Sequence, residues 1–224
     1  MPKAIKNVIE KKSDERQYEE NLENLRERMQ ERQRLFVRIG IAICLVLALI
    51  VGGVVYFNAA KSKAAAFELE GYKLLGGDPA AAGLQPAERY RKAHEAFSRA
   101  YAEKKRPDYK YYMGLCSYET GDMDNALKAF QEVSESSDQR FSALGLFKLG
   151  MTYLKKGDNE RALAALNKLA LMKNAPLQDM ALLESGKILA AQGKAEEAKA
   201  KFQALVTQFP KSPVFAEAKA RSGS

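Results

Sequence analysis

Few side chains in this sequence could do chemistry, and none stands in company that would let it. His94 is the only histidine. It falls on a helical stretch between Lys92 and Glu95, with no cysteine or second histidine at the spacing of a metal or nucleophile site, and it reads as an exposed helix position. Cys44 sits inside a long apolar run and Cys116 in a distant helical segment, so the two are not expected to pair. A disulfide-stapled fold is excluded, and the redox compartment is not legible from cysteine usage. Cys116 reads as a small apolar packing residue. Glu196 and Glu197 are neighbours on a polar helix face, whereas general acid–base chemistry needs opposed carboxylates in a cleft. Gly76 and Gly77 lack the lysine and the serine or threonine of a phosphate loop. The chain therefore reads as a non-enzyme with no cofactor and no metal.

The charge of the chain narrows its partners. A formal +8 arises from 36 basic and 28 acidic residues, spread without the Lys/Arg block interleaved with aromatics that follows a phosphate backbone. Nucleic acid is not an expected partner; the excess suits solubility or contact with anionic membrane lipid. Tryptophan is absent and only 7 prolines occur, which points to helices rather than to disorder or a turn-rich β protein.

One element must lie in a membrane. Ile39 to Phe57, IGIAICLVLALIVGGVVYF, carries no charge and at 1.5 Å per residue is long enough to cross a hydrocarbon layer of roughly 30 Å. Ala64 to Ala66 could pass for a signal-peptide cleavage site. The run, however, exceeds the ~7 to 15 residues of such segments, and the tail before it mixes acids with bases, so a retained anchor is the reading. Ile43 is too bulky for lipoprotein processing at Cys44. Arg26, Arg28, Arg32, Arg34 and Arg38 precede the span, against Lys61, Lys63 and Lys73 beyond it, which predicts an N-terminus inside the cytoplasm. Gly40, Cys44, Ala48 and Gly52 recur every fourth residue and would form a small-residue stripe for a transmembrane partner or a homo-oligomer. Residues 1–38 read as a charged cytoplasmic helical segment and 39–57 as a transmembrane helix.

Beyond the span a register of 36 residues repeats: Gly114, Gly150 and Gly186; Gly121, Gly157 and Gly193; Ala126, Ala162 and Ala198; Phe130, Leu166 and Phe202. Each unit reads as a helical hairpin. The first glycine lets two helices approach, the second stops a helix with positive φ, and the alanine makes room for a neighbour. This pattern resembles the tetratricopeptide repeat family, with Tyr153 in its aromatic position and Pro210 in its terminal proline position. Ser117 departs from that aromatic column, and the period exceeds the family's usual ~34, which implies longer connections. An upstream half-match places Gly71, Ala93, Phe97 and Ala100 in the same columns, with GGDPAAAGLQP as an insertion, and SPVFAEAKARS suits a capping helix. The expected fold is all-α: a single transmembrane helix followed by an α-solenoid of about four helical hairpins over 62–221.

In this family the first helices of successive units line a peptide-binding groove. Carried onto this chain, those positions are Tyr111, Leu115, Tyr118, Phe147, Met151, Leu154, Leu183 and Lys187. The same spacing fits burial between helices, and the sequence leaves the two open. Carboxylate-clamping members use Lys and Asn where Tyr, Leu, Phe and Met stand here, which disfavours a cytosolic chaperone adaptor. Anchor and repeats together are similar to the YfgM-like ancillary subunits of the bacterial SecYEG translocon. That resemblance implies a periplasmic adaptor or chaperone in the inner membrane that holds exported polypeptides or envelope proteins. The alternatives are an organellar import receptor with cytosolic repeats and a structural subunit of a membrane complex.

Overall fold

The computed structural model describes residues 3–76, 78, 81 and 83–223. The insertion expected between the first two repeat helices includes Gly77, Pro79, Ala80 and Ala82, which lie outside the described residues, as does the side chain of Arg34. The chain divides into two compact units, Met1–Asn58 and Ala59–Ser224.

The described part of the first unit is helical and belongs to α1 (Lys3–Gly76). No helix stop follows Phe57, since Asn58 to Ala66 carries alanine and lysine and no proline, so α1 runs beyond the expected limit of the span. Every side chain from Leu35 to Ala59 is exposed, and the helix is long and apolar enough to cross a membrane. Each such Leu, Ile, Val or Phe gains about 1.5–3 kcal/mol on leaving water, and none of them is buried among the described residues.

The second unit is all-helical among the described residues. It holds the end of α1, then α2 (Pro86–Glu103), α3 (Pro107–Glu119), α4 (Met123–Ser134), α5 (Gln139–Lys155), α6 (Asn159–Ala170), α7 (Gln178–Ala191), α8 (Ala195–Gln208) and α9 (Phe215–Ser222). α3/α4, α5/α6 and α7/α8 form helical hairpins, with α9 packed on α8, and the end of α1 makes a fourth with α2 through Ala64 and Gly71 against Phe97. The second helices of the first three hairpins bury one stripe at the same spacing: Ala93, Ala96, Phe97 and Ala100 on α2, Ala126, Ala129, Phe130 and Val133 on α4, and Ala162, Ala165, Leu166 and Leu169 on α6; α8 buries Ala198, Phe202 and Leu205 of it. The i, i+3, i+4, i+7 pattern makes one apolar face. First helices are sandwiched between neighbours; α7 buries Ala181, Leu182, Leu183, Ser185, Gly186, Ile188 and Leu189.

The register glycines fix each hairpin. A Cβ at Gly71 would lie 2.6 Å from the Phe97 ring, at Gly114 2.7 Å from Phe130, at Gly150 2.8 Å from Leu166 and at Gly186 2.5 Å from Phe202. The turn glycines Gly121, Gly157 and Gly193 have φ of 85°, 78° and 76°, where a side chain would be strained. After the first two of these comes an aspartate that starts the next helix: Asp122 accepts from the Asn125 amide and Asp158 from the Arg161 amide. Lys194 takes this place before α8 with φ −86° and ψ 66° and provides no side-chain cap. The longer repeat is absorbed between hairpins, where Asn174 and Leu177 take φ of 54° and 64° before α7.

A polar cluster joins the first hairpin to the second. Tyr109, 1% exposed, donates its hydroxyl to Glu68 Oε2 at 2.8 Å, and Arg106 reaches Glu68 at 3.3 Å and Tyr109 Oη at 2.9 Å. Asp108, in the first turn of α3, also pairs with Arg106, where the helix N-terminus favours its charge.

Two substitutions test these constraints. Gly186→Ala gains about 0.5–1 kcal/mol of helix propensity but drives a methyl into a buried ring, an overpacking cost of about 1–3 kcal/mol; chemical denaturation should show net destabilisation. Lys194→Asp restores a side-chain cap on a backbone already shaped for one and should stabilise the chain by about 0.5–2 kcal/mol.

Candidate protein-binding surfaces

Of the eight groove residues expected from sequence, six stand half-buried on two neighbouring first helices. Tyr111, Leu115 and Tyr118 of α3 and Phe147, Met151 and Leu154 of α5 are each half-buried, and all but Met151 pack their inner parts on the hairpin cores. α3 and α5 are neighbours, and the Tyr111 ring lies 6.4 Å from Phe141 of α5 and 5.9 Å from Phe130 of α4. Burial pushes the Tyr111 hydroxyl up to about 12, so it stays neutral. Lys155 Nζ stands 4.2 Å and Lys148 Nζ 5.7 Å from the Tyr118 ring centroid, within cation–π range. The surface is aromatic and aliphatic, with cations over its edge.

The remaining two expected residues are placed differently. Leu183 is 1% exposed and packs in the core with Leu182, Leu189, Phe202, Leu205 and Ala218. Its side chain is shorter than those of Tyr111 and Phe147 in the same column and reaches only the layer beneath α8 and α9. Lys187 is engaged by carboxylates, 3.1 Å from Glu184 and 3.2 Å from Glu217 of α9. Burial opposes its charge, but these two partners prevail and raise its pKa. It helps hold the capping helix rather than lining a groove.

His94 is also not where its sequence neighbours suggest. It is half-buried in the wall of a cleft of about 580 Å³ between α2, α3 and the start of α4, together with Tyr90, Cys116, Ser117, Asp122 and Asn125. Burial lowers its pKa, opposed by Asp122 and Glu95. A small residue in the aromatic column, Ser117, was the sequence signal for this opening. Among the described residues no group of three or more His, Cys, Asp or Glu side chains converges on a point that could hold a metal ion.

Comparison with known proteins agrees with this architecture. A family model described as tetratricopeptide repeat matches residues 84–140 and 147–213, together over half of the chain. The chain belongs to the tetratricopeptide repeat family. Its repeats are those of a protein-interaction scaffold, and no catalytic family is indicated. No curated protein matches the sequence. Among solved structures, the chain is similar to YrrB, described as a TPR protein with an unusual peptide-binding site, at 21% identity over 74% of this chain and 90% of that one, with a TM-score of 0.50. It is also similar to TTC0263, a thermophilic TPR protein in Thermus thermophilus, at 16% identity over 61% and 90% of the two chains, with a TM-score of 0.32.

The buried thiol gives a direct check of the cleft floor. Burial pushes Cys116 up to about 12, far from the ~8.5 of a free thiol, and it is 1% exposed. The nucleophile is the thiolate, so in a Cys44→Ser chain Cys116 should resist maleimide at pH 8 while folded and react once denatured.

Proposed function

We propose that this protein is a membrane-tethered scaffold that holds exported or envelope polypeptides on the periplasmic side of the bacterial inner membrane, as an adaptor or chaperone near the translocon. The observation that carries the reading is the half-buried row Tyr111, Leu115, Tyr118, Phe147, Met151 and Leu154 on adjacent first helices. A surface of this kind, apolar and only partly covered, fits apolar segments of chains that have not yet buried them. The row is built on rigid helices, so the protein need not order itself to bind.

Tethering is supported by the exposed apolar stretch of α1, and its orientation by the arginines that precede it. The side chains of Cys44 and Ala48 are exposed, and nothing lies within 4 Å of a Cβ built on Gly40 or Gly52, which leaves this face open to a second transmembrane helix, from the translocon or from another copy. The association with SecYEG itself rests on the resemblance to YfgM-like subunits.

Two measurements test the proposal. External protease should digest the repeat domain in spheroplasts and spare it in intact cells; protection in spheroplasts would sink the periplasmic placement. Tyr118→Ala combined with Met151→Ala should weaken binding of a reduced, unfolded client protein by roughly tenfold, about 1.4 kcal/mol. The melting temperature should move by only a few degrees. Unchanged affinity would remove this surface from the mechanism.

A further inference from the structure

The repeat carries its own measure of what is missing from the cleft beside Ser117. One register further on, Tyr153 occupies the column of Ser117, and Leu189 fills it in the last hairpin at 4% exposure. Tyr153 and Leu127 both pack on the core of α4, α5 and α6. Arg161 stands over its ring at 5.0 Å and bonds to Asp158, and Lys156 closes the edge by pairing with Asp124 at 2.6 Å. The third hairpin thus fills this space with an aromatic ring and a guanidinium anchored to an aspartate.

The second hairpin keeps the aspartate, which accepts from the Asn125 backbone amide and from Asn125 Nδ2 at 2.7 Å, and loses the ring and the guanidinium. Asp122 corresponds to Asp158, but Ser117 replaces Tyr153, Asn125 replaces Arg161 and Thr120 replaces Lys156. When α2 is aligned with α4 on Phe97 and Phe130, Arg91 stands where Asp124 does, so the ion pair that closes the edge in one hairpin cannot form in the other. His94 takes the place of Leu127 as the wall. The result is the opening of about 580 Å³. Glu88, Glu95, Asp122 and Arg91 border it; Glu88 is paired with Lys92 at 3.1 Å, which leaves Glu95 and Asp122 against Arg91, a small excess of negative charge that favours a positive guest. At about 100° per residue, Ser117 lies roughly 100–160° around α3 from Tyr111, Leu115 and Tyr118, and none of those three lines the opening, so it is separate from the aromatic row.

We propose that the cleft is a second recognition site, which receives from a partner polypeptide an aromatic side chain and an adjacent basic residue, the pair that Tyr153 and Arg161 provide internally one repeat later. The guest ring stacks against Tyr90 and His94 over the floor made by Cys116 and Ser117. Its basic neighbour meets Asp122. The inference rests on the protein-binding reading of the repeats, but not on the aromatic row or on the membrane.

His94 is the chain's single histidine, so its ring signals in proton NMR report on the cleft alone. The full chain in detergent micelles is titrated with acetyl-Tyr-Arg-amide, acetyl-Ala-Arg-amide and acetyl-Tyr-Glu-amide. Expected is a saturable shift of the His94 signals with the first, with the other two at least about tenfold weaker. Ser117→Tyr with Asn125→Arg should abolish the response and raise the melting temperature, by filling the space as the third hairpin does. Ser117→Leu, which copies Leu189, serves if that variant does not fold. Unmoved His94 signals with the Tyr-Arg probe, equal responses to all three probes, or an undiminished response in a folded, filled variant would overturn the proposal. Tyr118→Ala with Met151→Ala should leave this titration unchanged, so failure of the aromatic row and failure of the cleft are told apart.

Discussion

The repeat domain depends on a single recurring contact, a glycine on the first helix of each hairpin against a large side chain on the second. Helix backbones approach closely only where one offers no Cβ, and at Gly71, Gly114, Gly150 and Gly186 even a methyl would fall within 2.8 Å of the opposite side chain. The partner ring or leucine then fills the space beside the glycine and becomes fully buried, as Phe97, Phe130 and Leu166 do at 0% exposure. Interiors this dense tolerate neither extra volume nor lost volume. Because the contact is the same in every hairpin, each hairpin has the same internal geometry. The hairpins then stack with their second helices presenting the same stripe to whatever follows.

Stacking leaves the first helices with two duties. One flank carries the glycine and joins the hairpin interior, while other residues face the next hairpin or solvent. Tyr111, Leu115 and Tyr118 show how this divides a single side chain: their bases pack in the core, and their outer parts stay accessible. Accessible surface and core are thus shared by the same residues, which explains why periodicity alone could not separate them. Charged pairs contribute little to this division. Lys156–Asp124, with side chains 39% and 79% exposed, and Arg221–Glu217 lie at the surface, where solvent screens such pairs. Their effect is local closure and positioning, as when Glu217 brings α9 against Lys187.

Departures from the repeat are where the chain acquires individuality. Lys194 in place of a capping aspartate weakens the start of α8. Ser117 and Asn125 in place of a tyrosine and an arginine open a cleft without disturbing the glycine contact next to it, because Gly114 and Phe130 still close the hairpin. The columns that repeat close the hairpins, and those that vary set which spaces between them stay open.

The sequence by itself determined the helical class, the 36-residue register, the glycines with positive φ and the apolar stretch of α1, because each follows from local chemistry: a missing Cβ, a run without charge, an alternation of small and large residues. The cores, Phe97, Phe130, Leu166 and Phe202, were legible for the same reason. Tertiary structure decided what depends on neighbours distant in sequence. Leu183 and Tyr111 share a column, yet one is core and the other half-exposed, since their side chains differ in reach and α7 is covered by α8 and α9. Lys187 looks like a groove residue until Glu217 of α9 comes beside it. His94 looks solvated from Lys92 and Glu95, but α3 and α4 turn its position into the wall of a cleft. Pattern fixes which faces are apolar; only packing fixes which parts of those faces stay open.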